Sequence, residues 1–249
     1  MDWREKYRDK IVPTSDEAVR SIKSGELVVF VQAHGEARAL INALIRRAPE
    51  LRRIRLLSHL TFWPADYAEP EYKDSFRVIS QFFGKNIRDL HNKELVEHLP
   101  LFYYEMPKLY EESWTPDTFL LMVTPPDEHG RCSLGLNSDY AVKCAEIAKK
   151  VIVQINPSLP FTHGSYFSLD NAFCIYEEDA PIPEIFMGSM GEIEKKIGEN
   201  ITPLIPDGAT LQLGLGGVPD AVLSCLTEKK DLGIHTELFS DGVVDLCNA

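Results

Sequence analysis

The sequence predicts an α/β protein with mainly parallel sheets, because two separate stretches of the chain repeat one pattern. Each stretch contains a short apolar strand, a glycine-containing loop, a helix and a second strand. The first pattern predicts strands at 27–31 and 54–60 around a helix at 37–47, and the second predicts strands at 210–213 and 234–239 around a helix at 219–227. Strands that alternate with helices are typical of parallel sheets, which bind ligands beyond the carboxyl ends of their strands.

The chain between the two patterns supplies further regular elements. Strands are predicted at 77–84, 117–124, 149–157 and 171–178, and a helix at 140–149 precedes the third of them. An amphipathic helix is predicted near the N-terminus at 15–23, where Ser15 and Asp16 supply the cap and the first turn.

Two prolines interrupt any regular element in the segment 177–185. This segment is therefore the natural boundary between two domains, an N-terminal domain at 1–180 and a second domain that begins at 186 and continues to residue 249.

Composition excludes several classes of protein. A formal charge of −12 argues against nucleic acid or an anionic membrane as the main partner. No apolar run approaches the roughly 20 residues of a membrane span, and the charged start MDWREKYRDK is unlike a secretion signal. The five cysteines form no C-x-x-C pair, which disfavours a disulfide framework or a zinc site. We therefore expect a cytoplasmic protein that binds neither metal, membrane nor nucleic acid.

The glycine loop GLGGVPD is the first candidate for chemistry. Gly214, Gly216 and Gly217 leave the backbone uncluttered just before a helix N-terminus, where free N–H groups favour a phosphate or a developing oxyanion. A tight turn without a ligand is an equally good interpretation of these residues alone. A dinucleotide-binding fingerprint is disfavoured, because Pro219 stands where its third glycine belongs.

Glu237 is the second candidate, because it is a lone acid inside a stretch that is predicted to be a short buried strand. Gly233 precedes that strand and a Ser-Asp-Gly turn signal follows it. A strand glutamate most often faces solvent. A ribose-binding acid would be expected at the end of the strand rather than within it.

The segment TPPDEHGRCSLG clusters Asp127, Glu128 and His129. Metal ligation is conceivable, but two prolines and a following glycine favour a turn. His34 lies beside the first predicted glycine-containing loop, and His235 lies two residues before Glu237. Each could donate a hydrogen bond in a site or be a structural histidine.

Several motifs together resemble the acetyl-CoA hydrolase/transferase family, and most closely its branch of 4-hydroxybutyrate and butyryl-CoA:acetate CoA-transferases. The similarity runs through MDWREKY, SGELVVF, PPDEHGRCSLG, DGATLQLGLGGVPDAV and DLGIHTELFSDGVVDL, which span essentially the whole chain. The resemblance implies tandem CoA-transferase-like domains, of which the second is incomplete here. It implies that Glu237 is the catalytic nucleophile and that the glycine loop contacts CoA through Gly214, Leu215, Gly216, Gly217 and Val218.

The reaction implied by the resemblance moves CoA from an acyl-CoA to a carboxylate. The Glu237 carboxylate attacks the thioester, and the CoA thiolate then returns to form a glutamyl-CoA thioester, so CoA is a substrate and no cofactor is permanently bound. A carboxylate is ionised at neutral pH and needs no general base. The barrier must fall through oxyanion stabilisation and exclusion of water. The expected partners are an acyl-CoA and a short-chain carboxylate.

The sequence departs from this branch near residue 35. Ala37 follows the Gly35–Glu36 pair where a proline is frequent, and Gln32 stands where histidine is usual. The predicted acyl pocket, which comprises Gln32, His34 and Gly35, is therefore expected to differ from that of the branch.

The chain is also much shorter than the relatives that the resemblance implies, and we expect it to be a fragment or to be completed by a partner chain, for example in a homo-oligomer. An acyl-CoA hydrolase of the same fold remains open as an alternative, and so does a non-catalytic ligand-binding or interaction domain left by truncation.

Overall fold

The computed structural model describes residues 2–184 and 190–249. The chain divides into two compact units, Met1–Pro183 (unit 1) and Glu184–Ala249 (unit 2). Ile185, the last residue of the predicted boundary segment, lies outside the described residues, as do positions 186–189 at the start of the predicted second domain. The assignment of these parts to CoA-transferase domains stays a prediction.

The strands of unit 1 are β1 (Leu27–Phe30), β2 (Ile54–Ser58), β3 (Phe76–Ser80), β4 (Val96–His98), β5 (Thr118–Val123), β6 (Arg131–Ser133), β7 (Lys150–Ile155), β8 (Tyr166–Ser168) and β9 (Cys174–Glu177). Within the described residues, seven of them form one sheet in the order β4-β3-β2-β1-β5-β7-β9, and every neighbouring pair is parallel. The predicted α/β class with a parallel sheet is confirmed.

The helices of unit 1 are α1 (Trp3–Lys6), α2 (Ser15–Ala18), α3 (Arg38–Arg46), α4 (Lys85–Asn92), α5 (Met106–Glu112) and α6 (Tyr140–Ile147). The predicted helix at 15–23 is shorter than expected, because α2 passes into a 3₁₀ turn at Val19–Ser21. The helix predicted at 37–47 forms α3, whose apolar side faces the core.

Apolar side chains cover both faces of the sheet in unit 1. Val28 and Phe30 of β1 belong to one buried cluster, whereas Leu27 and Val29 belong to the other. The strand therefore reads as a continuous apolar run, as parallel strands do when both faces are buried. This arrangement leaves the carboxyl ends of the strands as the place where polar groups can gather.

A small antiparallel pair joins β6 to β8, and a tight turn precedes it. The Asp127 carboxylate accepts hydrogen bonds from the backbone N–H groups of His129 and Arg131, and also from the Arg131 guanidinium. The carboxylate of Asp127 thus closes a turn, and the turn interpretation of this segment is confirmed.

Unit 2 contains α7 (Glu192–Ile201), β10 (Thr210–Leu211), α8 (Gly217–Ser224), β11 (Gly233–Ile234) and α9 (Asp241–Asn248). The strands β10 and β11 are parallel. A Cβ on Gly198 would lie 2.7 Å from the Ala221 carbonyl oxygen, so glycine permits the close approach of α7 to α8. Within the described residues, each helix is too short or too polar to span a bilayer.

The predicted strand at 234–239 is wrong in its extent, because β11 ends at Ile234. The Leu213 N–H donates to the Thr236 hydroxyl instead of to a backbone carbonyl. A side-chain hydrogen bond therefore stands where the next backbone hydrogen bond between β10 and β11 would be. Glu237 therefore lies in an exposed bend after the strand, not within it. The position of Glu237 within its strand was one argument against a ribose-binding acid, and that argument no longer holds. Pro219 still disfavours a dinucleotide-binding fingerprint.

Candidate functional site

The glycine loop of unit 2 connects β10 to the N-terminus of α8. Gly216 is the N-cap residue and has φ +135°, a conformation that L-residues other than glycine rarely adopt. The first N–H groups of a helix have no partner within the helix, and here those of Gly217 and Val218 are of this kind. Glycine at position 216 therefore allows the chain to turn, and the free backbone N–H groups at the start of α8 lie beside the loop.

The surface of this loop is accessible. An added Cβ at Gly214 would meet no atom within 4 Å, and Leu215 is 52% exposed. At Gly217 an added Cβ would lie 3.3 Å from Cγ of Glu194, so this acidic residue of α7 lies beside the helix start. The loop can be approached by a large ligand from the side of Gly214 and Leu215.

The segment that carries Glu237 is tied to both flanks of the glycine loop. The Thr236 hydroxyl accepts from the Leu213 N–H at 3.1 Å and donates to the Leu213 carbonyl at 2.7 Å. The Ser240 hydroxyl donates to the Asp220 carboxylate at 3.1 Å. Leu213 immediately precedes the loop and Asp220 lies in the first turn of α8. These ties hold the exposed Glu237 segment against the elements that bracket the loop.

His235 contributes to the site through its backbone. Its N–H donates to the Leu211 carbonyl at 2.9 Å, and its side chain is exposed. The sequence could not distinguish this structural position from a catalytic one.

A separate cavity of about 160 Å³ lies in unit 1, beyond the carboxyl ends of β1, β5 and β7. Its lining includes His34, Glu36, Arg38, Trp63, Gln154 and Asn156. The Asn156 amide donates to the Ala180 carbonyl at 2.9 Å and accepts from the Ala180 N–H, which holds the segment that forms one wall. The cavity therefore lies where ligands of parallel sheets are expected.

The predicted acyl-pocket residues occupy different surroundings. His34 lines the cavity and packs edge-on against Phe62. The Gln32 amide donates to Asp139 at 2.8 Å and to the Tyr103 hydroxyl. A Cβ at Gly35 would lie 2.5 Å from Oδ1 of Asn137, so close packing requires this glycine. Of the three, His34 is the one that lines the cavity, and their assignment to an acyl pocket stays a prediction.

Burial shifts the pKa values of two side chains that line the cavity, Glu36 and His34. Glu36 is 3% exposed, and burial raises its pKa to about 8, although the Thr61 hydroxyl and the Arg38 charge oppose this increase. Neither carboxylate oxygen has a hydrogen-bond partner of good geometry among the described residues. Burial also lowers the pKa of His34. At neutral pH both side chains are predominantly uncharged.

Sequence reasoning missed Glu36, Arg38, Trp63 and Gln154 as members of one site. A weak signal was available for Gln154, since it is a polar residue in the apolar strand KVIVQI. No comparable signal marks Arg38 or Trp63. In the ranges 2–184 and 190–249, no group of three or more histidine, cysteine or acidic residues could hold a metal ion.

Comparison with known proteins identifies the class. Residues 1–180 match the model of the acetyl-CoA hydrolase/transferase N-terminal domain. The chain belongs to the acetyl-CoA hydrolase/transferase family, and the resemblance seen in its motifs is confirmed.

Individual relatives extend the similarity beyond residue 180. The chain is 39% identical over its whole length to the 4-hydroxybutyrate coenzyme A transferase of Clostridium kluyveri, of which it covers 58%. It is 32% identical to the butyryl-CoA:acetate CoA-transferase of Anaerostipes caccae, of which it also covers 58%. The crystal structure of RipA from Yersinia pestis superposes with a TM-score of 0.93 at 31% identity, with 100% of this chain and 60% of that chain covered. The chain thus spans about three-fifths of the length of these relatives.

Proposed function

We propose that the chain is part of a CoA-transferase that moves CoA between a short-chain acyl-CoA and a carboxylate through a thioester on Glu237. The observation that carries this proposal is the pair of ties, Thr236 to Leu213 and Ser240 to Asp220, which hold an exposed carboxylate segment beside the glycine loop. Nucleophile and oxyanion donors must lie close together for acyl transfer. This arrangement supports such a role for the two motifs.

The proposed cycle keeps the free energy of the thioester bond, because CoA passes from one carboxyl group to another without hydrolysis. The Glu237 carboxylate attacks the thioester carbonyl, and collapse of the tetrahedral intermediate releases CoA thiolate and leaves an acyl-glutamyl anhydride. The thiolate then attacks the glutamyl carbonyl and displaces the acyl group as a free carboxylate, which leaves glutamyl-CoA. The same steps in reverse load CoA onto the incoming carboxylate. N–H groups at the start of α8 are the proposed donors to the oxyanion.

The wider assignment follows the family. The proposal takes 1–180 as the N-terminal CoA-transferase domain and 186–249 as the start of a second one, with Gly214, Leu215, Gly216, Gly217 and Val218 contacting CoA. Relatives are named for 4-hydroxybutyrate and for butyryl-CoA and acetate. Acetyl-, butyryl- and 4-hydroxybutyryl-CoA are accordingly the first substrates to assay, in a protein proposed to be cytoplasmic.

Trapping the covalent intermediate tests this proposal. The whole protein that carries this sequence is incubated with butyryl-CoA and treated with borohydride, which reduces a glutamyl thioester to the side-chain alcohol. We expect the modified residue to be Glu237 and the product to be inactive. Glu237→Gln should give no modified peptide, whereas Glu228→Gln, which changes an exposed glutamate beyond α8, should be modified like the wild type.

The outcomes separate the three candidate functions. CoA release that depends on an added carboxylate supports the transferase. CoA release at the same rate without an acceptor would replace it with the hydrolase. Absence of both a modified Glu237 and any CoA release would leave a non-catalytic ligand-binding or interaction domain.

A further inference from the structure

Three side chains meet at one carboxylate oxygen beyond the carboxyl end of β1. Oδ2 of Asp139 accepts hydrogen bonds from the Tyr103 hydroxyl and from the Gln32 amide, each at 2.8 Å. The Asn137 amide nitrogen lies 3.5 Å from the same oxygen. The Gln32 amide also donates to the Tyr103 hydroxyl. Hydrogen bonds to a carboxylate are among the stronger ones in proteins, so Tyr103 joins its own segment firmly to the loop after β1 and to the start of α6.

Tyr103 lies in a short turn at residues 102–105, which we call the Tyr103 turn. The Phe102 N–H donates to the Glu105 carboxylate at 3.2 Å, and the Glu105 N–H donates to the Phe102 carbonyl at 2.9 Å. Because these bonds lie within the turn, the turn can move as one piece without breaking them. Met106, which directly follows the turn, is fully buried and marks the end of the part that can move.

The Tyr103 turn buries little apolar surface besides the Tyr103 ring. Phe102 is 70% exposed and Tyr104 is 77% exposed, and their rings stack on each other at a centroid distance of 5.7 Å. The Tyr103 ring makes edge contacts with His59 and Tyr140, at centroid distances of 6.5 and 6.2 Å. Since apolar burial is the main source of favourable free energy in a packed segment, the attachment of the turn depends mainly on Tyr103.

A buried acceptor beside Tyr103 is left without a partner. Asn137 is 8% exposed, and within the described part of the chain its Oδ1 has no hydrogen-bond partner. A Cβ on Gly35 would lie 2.5 Å from this oxygen, so Asn137 packs tightly against the loop after β1. An unpaired buried acceptor costs free energy, which water recovers if the turn moves away. This cost brings the closed and open arrangements of the turn closer in free energy.

We propose that the Tyr103 turn is a lid over Gln32 and Asn137, that the hydrogen bonds of Tyr103 hold it closed, and that it opens to admit a ligand. The lid rests on the proposed function in one respect, because the ligand it admits is taken to be the acyl-CoA. Opening itself does not depend on Glu237. Lids of this kind exclude water while a ligand is bound, which an acyl-transfer reaction needs in order to avoid hydrolysis.

Alkylation of a thiol beneath the lid measures its opening in the whole protein. Asn137→Cys places a thiol where the closed turn shields it, and peptide mapping after treatment with iodoacetamide separates it from the five native cysteines. Adding Tyr103→Phe, which removes the hydroxyl and keeps the ring, should speed its alkylation about 10-fold or more, as expected for lost hydrogen bonds to a carboxylate. Tyr104→Phe is the matched control, because it removes a hydroxyl from an exposed ring one residue away and should leave the rate unchanged.

Equal rates with Tyr103→Phe and with Tyr104→Phe would overturn the proposal. Asp139→Asn is a second variant, in case Tyr103→Phe folds poorly. Asp139 is the N-cap of α6 and accepts from the Ala141 N–H at 3.0 Å, and asparagine is an equally good N-cap residue. This variant keeps the helix start but weakens the acceptor for Tyr103. It should also speed the alkylation, and an unchanged rate would contradict the role of these hydrogen bonds.

Butyryl-CoA connects the lid to the proposed function. It should slow the alkylation of Asn137→Cys in the Glu237→Gln background, where turnover does not consume it, and Tyr103→Phe should remove this effect. Hydrogen exchange of the glycine loop at 214–218 reports independently whether butyryl-CoA binds. Protection of that loop without slower alkylation would overturn the lid. Protection of neither would count against the proposed function, and the rates without ligand would then decide on the lid alone.

Discussion

Thr236 and Leu213 are joined by two hydrogen bonds that use a single side-chain hydroxyl. Oγ1 of Thr236 accepts from the Leu213 N–H at 3.1 Å and donates to the Leu213 carbonyl at 2.7 Å. The hydroxyl satisfies both backbone groups at the point where the β10–β11 ladder ends. It also fixes the residue before the glycine loop to the residue before Glu237.

The first prediction concerns this hydroxyl. Thr236→Val keeps the shape of the side chain but leaves both backbone groups of Leu213 without a partner. We expect a loss of about 1–3 kcal/mol in the free energy of unfolding. If Glu237 is the nucleophile, transfer should fall by as much as about 100-fold, because reacting groups tolerate little displacement. Urea unfolding and a CoA-exchange assay measure the two effects.

Two further substitutions control this experiment. Thr236→Ser retains the hydroxyl and should recover most of the stability and activity. Thr227→Val removes an exposed threonine hydroxyl and should change neither quantity. Equal stability of Thr236→Val and Thr227→Val would show that the two bonds contribute little.

The second prediction concerns the length of the proposed nucleophile. Glu237→Asp withdraws the carboxylate by about one bond, and a shift near 1 Å costs on the order of 100-fold when the geometry is tight. We expect acyl transfer to fall severely and any hydrolysis to fall less, because Glu237 is exposed and the gap admits water. CoA release with and without acetate separates the two reactions. If transfer and hydrolysis fell by the same factor in Glu237→Asp, entry of water into the gap would not explain the effect of the shorter side chain.

The third prediction concerns the pH dependence of stability that Glu36 creates. The pKa of Glu36 is about 8 in the folded protein, well above its value of 4.5 in an unfolded chain. The contribution to stability is therefore fully present below the unfolded pKa and is lost as pH rises through the folded pKa. Across this window, the free energy of unfolding should decline by up to about 1.4 kcal/mol for each pH unit.

Glu36→Gln isolates this contribution because glutamine does not titrate. The stability of the variant relative to the wild type should increase from about pH 5 to about pH 8. Glu5→Gln, which changes an exposed glutamate of unit 1, should show no such trend. A constant difference between Glu36→Gln and the wild type would mean that Glu36 titrates normally.

The fourth prediction compares two glycines of one loop. Gly216 has φ +135°, so alanine there is strained and should cost about 1–3 kcal/mol in the free energy of unfolding. Gly214 has open space around it and no positive φ, so Gly214→Ala should be neutral or slightly stabilising. Urea denaturation of both variants measures the difference. Equal stability of the two would remove the argument that Gly216 is required by the turn.

Local patterns predicted most of the main sheet and two of the helices that position the sites. The apolar runs around Val28 and Phe119 have the composition of fully buried parallel strands, and the structure contains both strands. The strands β4, β6 and β8 were not predicted, because each has three residues and alternates with polar positions. The fold of such short segments depends on the neighbours with which they pair.

The sequence by itself determined the α/β class, the family and the position of the glycine loop before a helix. These properties depend on residues that are adjacent or periodic along the chain, and local sterics and burial patterns fix them. The tertiary structure alone decided that Glu237 lies in an exposed bend, because a hydroxyl 23 residues away from Leu213 ends the ladder. It also decided that Glu36, Trp63 and Gln154 share a cavity, because the order of the parallel strands brings distant segments to one edge. Burial in that cavity, which no local pattern encodes, is what raises the pKa of Glu36.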